Sequence, residues 1–455
     1  MRESVYTLLI VESPVIAGII QSVCPSSVYV LATGGFCWLP EYDQAKNRIK
    51  MIADRRKADI RMELREQAQW ANSIIIAADS DASGDFITWS VAKFLKKPGL
   101  KRTRLHSLSK AGVHEMLDEA REFDISRLEI RLQNRFQIRH EWKHSRNVPE
   151  FELSGLISIF GYTRKYRHFV DENGNLFMSS DIIRLAPDEW ITVTENDSDT
   201  FYRTEKPLST FDLLALIAES GLTGSYHHAQ EILQELFQAR LPFSGESLIS
   251  YPRTSAKAFY SETWYNIRRQ FIQFSSQSDL KPVFMQEIAG PETPHESIHP
   301  LDLALTPQKV SGELSGILGK LYRIIYNHTL SAITLPEIIQ QPFTNELLAG
   351  ICFYTAESKN RVSSSLSLRP VYTTSDVGSL LYELGVCKPS GFGKDVQDWE
   401  SKGWIQIENG VVLPGKHILK WFNDAESLYH KLHKLNNLAE TEDLEPETVR
   451  AIISS

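Results

Sequence analysis

A tyrosine two residues from an arginine, and an acidic run far from both, are the parts of this 455-residue chain that could do chemistry. The tyrosine lies in SLISYPRTSA, Ser247 to Ala256, where Tyr251 and Arg253 flank Pro252. A phenol is a weak nucleophile at its ordinary pKa of about 10 and needs a cation, base or metal beside it. A guanidinium two residues on offers a planar fork suited to phosphate. The plainer reading is a turn with a core tyrosine. The acidic run is Asp79-Ser80-Asp81-Ala82-Ser83-Gly84-Asp85, with Glu12 far upstream. Carboxylates two apart in a loop can converge on Mg²⁺, which takes few protein ligands and keeps its waters. Asp, Ser and Gly also serve as helix caps and turns, so spacing alone leaves both readings open.

What must position these groups is a set of buried strands. Thr7–Val11 (TLLIV), residues 28–32 (VYVLA) and residues 73–78 (SIIIAA) are continuous apolar runs of the kind buried on both sheet faces. Helix-like segments follow the first, through Val23, and the third, from about Phe86 to Lys96. Strands alternating with helices predict a parallel sheet whose sites lie at the carboxyl ends of its strands. Glu12, Asp79, Asp81 and Asp85 all fall at that edge.

Bulk properties set limits. A chain of this length has two to four domains and ample core. The net charge of −8 argues against nucleic-acid binding by bulk electrostatics and leaves room for a local basic groove. Four cysteines without a CxxC pair support neither a zinc ribbon nor a disulfide framework, and fit a reduced, cytoplasmic setting. No window approaches a membrane-spanning apolar run, and the N-terminus lacks a signal-peptide pattern.

In RLQNRFQIRHEWKHSR, Arg131, Arg135, Arg139 and Lys143 recur every four residues. On a helix this makes one basic stripe. Glu141 is the only acid in the run, which favours phosphate contact over a solvated face. Leu156 to Pro207 reads as strand-like and turn-rich. Residues 207–240 read as two helices leading into LISYPRT, and KLYRIIYNHTLSAI as a further long amphipathic helix. Thr373 to Phe422 has the order helix, turn, helix, strand pair, a winged-helix pattern. The tail from Glu440 to Glu447 reads as a solvated helix or frayed end.

IVESP, ATGGFCWLP, AADSDASGD, LISYPRT, PHESIHP and GVCKPSGFGKDVQDWESKGW occur in an order that resembles the type IA DNA topoisomerases. The resemblance covers nearly the whole chain. It departs from the family pattern at Ile16, Ala82, Ser83, Ile138, Gln238, Ser255, His299 and Gly391. It implies a multi-domain α/β plus α fold: a Rossmann-like Toprim domain, winged-helix-type domains arranged as a toroid, and a small β arch. The implied parts are a Toprim domain at 1–125 and a winged-helix-type DNA-binding domain at 126–155 with 367–455. A β-rich arch at 156–206 with 334–366 and an active-site tyrosine domain at 207–333 complete it.

By the same resemblance, Tyr251 is the nucleophile and Arg253 and His295 contact the phosphate. Glu12 moves the proton, and Asp79 and Asp81, with Asp85 and Glu12, hold Mg²⁺. Gln234 lines the pocket, while Thr254, Lys388, Ser390 and Lys394 join Arg131, Arg135, Arg139 and Lys143 in meeting DNA. The implied activity is Mg²⁺-dependent, ATP-independent cleavage and rejoining of single-stranded DNA by a monomer, and no Walker A motif is present. Two alternatives stay open: a weakened homologue that only binds single-stranded nucleic acid, and a Toprim-type metal nuclease with Tyr251 as a bystander.

Overall fold

The computed structural model describes residues 6–79, 81–186, 189–196, 200–203, 205–241, 245, 247–275, 288–290, 293, 295–314, 316–334, 337–340, 342–348, 350–355, 365–441 and 443–455. Ser80 of the acidic run and Pro294 of PHESIHP lie outside them. The chain divides into two units. One comprises Met1–Val148, Glu235–Tyr251 and Lys434–Ser455; the other Pro149–Gln234 and Pro252–His433.

In the first unit the expected apolar runs form a parallel sheet. Thr7–Val11 lies between Val28–Ala32 and Ser73–Ala77, and pairs in register with both. Lys101–Arg102 extends the sheet in parallel, and Arg121–Glu122 closes the edge antiparallel. Leu8, Leu9, Ile10 and Ile76 have no solvent exposure, which is why these strands are apolar at every position rather than at alternate ones. The helix Pro14–Val23 starts with proline in its first turn and Ser13 accepting from the Ile16 amide. The hairpin Trp38–Asp43 with Arg48–Ala53 was not legible in the sequence. Its two-faced character, with Trp38 and Ile49 buried and Leu39 and Ile52 exposed, emerges only against the sheet's core.

The basic run forms the helix Ile125–His144. The acidic tail is solvated only at its acids: Asp443, Glu445 and Glu447 are exposed, while Leu444 and Pro446 between them are buried. The helix Ala425–Thr441 runs into this unit, and Pro446–Ser454 packs against the basic helix. There Leu444, Val449, Ile452 and Ile453 are buried, and buried Asn134 donates to Ala439 O and accepts from the Leu444 amide. A short apolar repeat among acids hides this packing, because acidic composition dominates the local reading.

The second unit begins with a correction. Residues 151–163 are a helix, Phe151–Ser158, continued by a π turn through Thr163, so the strand-like reading from Leu156 begins to hold only beyond Thr163. Leu153 to Phe160 are all buried, and a fully buried apolar run has no periodicity to separate helix from strand. Gly155 permits the close approach: a Cβ there would lie 2.8 Å from Leu381 Cδ2 and 2.9 Å from Val386 Cγ2. Beyond it the β-rich part is a closed barrel. Ile191–Glu195, Phe343–Thr344, Cys352–Tyr354, Leu176–Arg184 and Lys165–Val170 follow one another, and Ser365–Thr373 pairs with both the last and the first. The same strand then reaches the wing hairpin Ile405–Glu408 with Val411–Pro414. The winged-helix pattern appears as Thr374–Glu383 and Phe392–Ser401 before that hairpin. Among the described residues no helix is long and apolar enough to cross a membrane.

Candidate active site

Tyr251 ends the middle segment of the first unit, Glu235–Tyr251. Its amide donates to His106 O at 2.9 Å, just past the Lys101–Arg102 strand, and its ring meets Phe237 edge-on with centroids 5.6 Å apart. Arg240 donates to Leu108 O and to Gly245 O at 2.9 Å, holding the lead-in loop to the same region. The tyrosine is thus fixed in the unit that carries Glu12, Asp79 and Asp81, and is 4 % exposed.

The carboxyl edge of the sheet is reached by several loops. The Gly34 amide donates to Glu12 O at 2.7 Å, which ties the loops after the first two strands together. Gly34 sits at φ 63°, a conformation that suits glycine. The Lys57 ammonium donates to Gly34 O at 2.7 Å and Thr33 O at 3.3 Å, placing a cation at this edge. No sequence signal marked Lys57, since nothing local links it to Gly34.

The acidic run splits into distinct roles. Asp81 is the N-cap of Ala82–Leu95, and its Oδ1 accepts from the Ser83 and Gly84 amides at 2.8 and 2.9 Å. The helix-cap reading is therefore realised here; a cap leaves a carboxylate's charge at the helix start. Gly84 fits tightly, for a Cβ would lie 1.9 Å from Asp79 O.

Asp85 departs from its expected role as a metal ligand. It is 6 % exposed and its oxygens are taken by Arg102 Nη1 at 2.7 Å, Arg135 Nη1 at 3.0 Å and Arg131 Nη2 at 3.8 Å. Arg102 also donates to Asp79 O at 3.2 Å, bracing the acidic loop.

The basic stripe is corrected by the same contacts. Arg135 also pairs with Glu440 at 2.7 Å and Arg131 with Glu440 at 3.8 Å. Burial lowers the Arg135 pKa, but Glu440 and Asp85 outweigh it and raise the net value. The acids absent from the local run come from positions distant in sequence, so these two arginines are structural. Arg139 and Lys143, one and two turns on, are exposed.

In the second unit Pro252 to Thr254 are held by their backbone. Thr210 Oγ1 donates to Pro252 O at 2.7 Å and accepts from the Thr254 amide at 2.8 Å, while the Thr210 amide donates to Thr254 O at 2.8 Å. Thr210 opens the helix Thr210–Glu219, capped reciprocally by Ser209 and Asp212. Asp212 also holds Lys257 at 2.7 Å; burial raises its pKa, but Lys257 and the hydroxyl bonds outweigh this and lower it. Arg253 then lines a cavity of about 40 Å³ with Gln230, Leu233, Gln234, Thr210 and Pro252.

Thr254, expected to meet DNA, has its hydroxyl bound internally. It donates to His295 O at 3.1 Å and accepts from the Ala256 amide at 2.9 Å. His295 is buried, and behind it Glu296 accepts from the Tyr260 amide, Thr263 Oγ1 and His299 Nε2. Burial lowers the His299 pKa, yet the Glu296 carboxylate more than compensates and raises it; Glu296 is correspondingly lowered. Lys388 and Ser390 are half-buried and Lys394 is exposed, on a loop and helix start clamped by Gln230, which donates to Ser390 O and accepts from the Gly393 amide.

Comparison with known proteins closes the question of family. A Toprim domain model matches residues 7–108, and a DNA topoisomerase model matches residues 174–362. The chain belongs to the type IA DNA topoisomerases. It is 23% identical over 389 residues to DNA topoisomerase 1 of Campylobacter jejuni, covering 73% of this chain and 55% of that protein. It is 22% identical over 407 residues to the reverse gyrase of Pyrococcus furiosus, covering 75% of this chain and 32% of that protein. The chain thus spans about a third to about half the length of these two relatives. Full-length topoisomerase I from Thermotoga maritima shares the fold, with a TM-score of 0.65 at 17% identity, over 98% of this chain and 89% of that one.

For a type IA topoisomerase the metal donors are the open point, since the Toprim domain is a metal-binding module in these enzymes. Among the described residues no three His, Cys, Asp or Glu side chains gather to hold an ion. With Asp85 taken by arginines, a cation at this edge would rest on Asp79 and Asp81. Two carboxylates suffice for an ion that keeps most of its waters.

Proposed function

We propose that this chain cleaves and rejoins single DNA strands through Tyr251, in a topoisomerase reaction that needs Mg²⁺ and no ATP. The observation that carries the reading is the Tyr251 amide bonded to His106 O, which seats the phenol in the unit that bears Glu12, Asp79 and Asp81. Tyr251 Oη attacks the phosphorus; a phosphorus–tyrosine bond forms and the bond to the 3′ oxygen breaks. The phenol proton reaches the departing 3′ oxygen by way of Glu12. Arg253 and His295 stabilise the charge on the phosphate. Mg²⁺, held by Asp79 and Asp81 with Glu12 nearby, would neutralise phosphate charge. A second strand passes before the covalent bond is reversed, so no energy source is consumed. The four-part domain division, a monomeric state and strand contacts by Arg139, Lys143, Gln234, Lys388, Ser390 and Lys394 belong to this proposal.

Negatively supercoiled plasmid with Mg²⁺, and a labelled oligonucleotide trapped after denaturation, test it. Wild type should relax the plasmid and form a covalent adduct, and Tyr251→Phe should do neither while binding the oligonucleotide as before. Nicking that survives Tyr251→Phe would move the assignment to a metal nuclease. A second reading, a homologue that only binds single strands, draws on Asp85, whose loss to three arginines leaves the acidic edge poorer in charge. Binding without any adduct in wild type would decide for it.

A further inference from the structure

A cleft lined by cations and tyrosines lies in the second unit, well separated in sequence from YPRT. A cleft of about 450 Å³ is lined by Tyr162, Arg164, Lys165, Arg184, Glu189 and Tyr429, together with Leu185 and Ala186. That volume is of the size that small-ligand pockets use. Its cations are arranged unfavourably for an empty cleft. Lys165 and Arg184 face each other directly across the antiparallel pair Lys165–Val170 with Leu176–Arg184. Like charges opposed across strands destabilise a sheet unless an anion lies between them. Arg164, held in the left-handed region at φ 50° by the end of the π turn, adds a third positive charge. Among the described residues none of the three makes an ion pair. Glu189, the one acid among the described residues that line the cleft, has Oε2 accepting from the Ala186 amide at 3.0 Å, which closes its own turn.

The aromatic side is equally ordered. Tyr162 and Tyr429 rings pack with centroids 5.0 Å apart and tilted by 47°. Tyr162 Oη bonds His430 Nε2 at 3.2 Å, and the Tyr429 ring stacks on His433 at 5.8 Å and 14°. Both rings are fixed from behind, and both are only half-buried. Trp190, 49 % exposed, follows Glu189 at the margin.

We infer that this cleft binds single-stranded nucleic acid, stacking a base on the Tyr162–Tyr429 pair and seating its phosphates on Arg164, Lys165 and Arg184. Tyrosine faces give sequence-tolerant stacking, and the basic wall gives salt-dependent affinity. A duplex cannot present a free base face to such a pair. The inference takes its ligand class from the proposed function but does not depend on cleavage.

The test uses the full chain carrying Tyr251→Phe, so that covalent capture cannot contribute, and an oligothymidylate of about twelve nucleotides, within the span such sites cover. Photocrosslinking with 5-iodouracil in the oligonucleotide should label Tyr162 or Tyr429, located by peptide mass spectrometry. Arg164→Gln with Arg184→Gln, both exposed positions, should weaken binding about ten-fold. The double variant should also lower the salt-dependence slope by about 1.4. Crosslinks confined to other residues, or unchanged affinity and slope in a double variant of normal melting temperature, would overturn the inference. So would displacement of the oligonucleotide by polyglutamate at equal charge concentration, which would make the cleft a seat for an acidic protein. A wild type that crosslinks here yet never cleaves leaves this site standing and removes only the cleavage reading.

Discussion

The acidic edge of the sheet and the Pro252–Thr254 loop hold their functional groups in opposite ways. At the edge, side chains hold side chains and amides: Asp81 caps a helix and Asp85 gathers three arginines. At the loop, one hydroxyl and one amide of Thr210 hold three backbone groups, and Arg253 is left to line a cavity. Fixing a segment by its main chain does not of itself commit its side chains. Ion-pairing withdraws Asp85 from chemistry, whereas capping leaves Asp81 its charge at the helix start.

Two neighbouring aspartates give the widest contrast. Asp85→Asn leaves partly buried arginines without their shared acid and should cost about 3 kcal/mol, less than a fully buried pair because Arg131 and Arg135 are about a third exposed. Thermal unfolding reads it, and metal affinity should hold. Asp81→Asn should do the reverse. Asparagine caps as well as aspartate, so stability should stay within about 0.5 kcal/mol while metal-dependent cleavage falls about 100-fold or more. If Asp81→Asn cleaves normally, the remaining acid pair is not the metal seat.

Thr210→Val removes the donor to Pro252 O and the acceptor for the Thr254 amide, both buried. It should cost about 2 kcal/mol and slow cleavage, with strand binding kept; Thr210→Ser should restore both. Equal cleavage rates would show that the loop is positioned by something other than Thr210.

The smallest effect concerns pH. The His299 pKa is raised in the fold, so the stability from its pairing with Glu296 is complete below the ordinary histidine value of about 6.5. It is lost as pH rises through the raised value. On the acid side Glu296 is lowered, and its share is lost as pH falls through that lowered value. His299→Arg should abolish the alkaline loss, worth roughly 2–4 °C in Tm, without altering the acid limb. A wild-type curve flat on the alkaline side would show the pair to be uncharged.

Much of the first unit could be read in advance because its signals are local. An all-apolar strand ending in an acid announces itself, as Thr7–Val11 before Glu12 and Ser73–Ala77 before Asp79 do. The YPRT segment was legible for the same reason. What escaped depended on partners far away in the chain. Arg131 and Arg135 looked unpaired because their acids, Asp85 and Glu440, lie dozens to hundreds of residues away. Residues 156–163 looked strand-like because complete burial of the apolar run erases helical periodicity. Lys57 and the tail helix Pro446–Ser454 acquire meaning only from what they touch.

The strand Ser365–Thr373 seals the barrel against Ile191–Glu195 with its first half, and its last two residues pair with the wing hairpin at Val411 and Val412. A nine-residue rod shared by two bodies transmits torque. The wing cannot swivel without shearing hydrogen bonds at the barrel seam, and the seam cannot part without dragging the wing. Any gate-like travel in this unit must therefore be borne by hinges outside that rod.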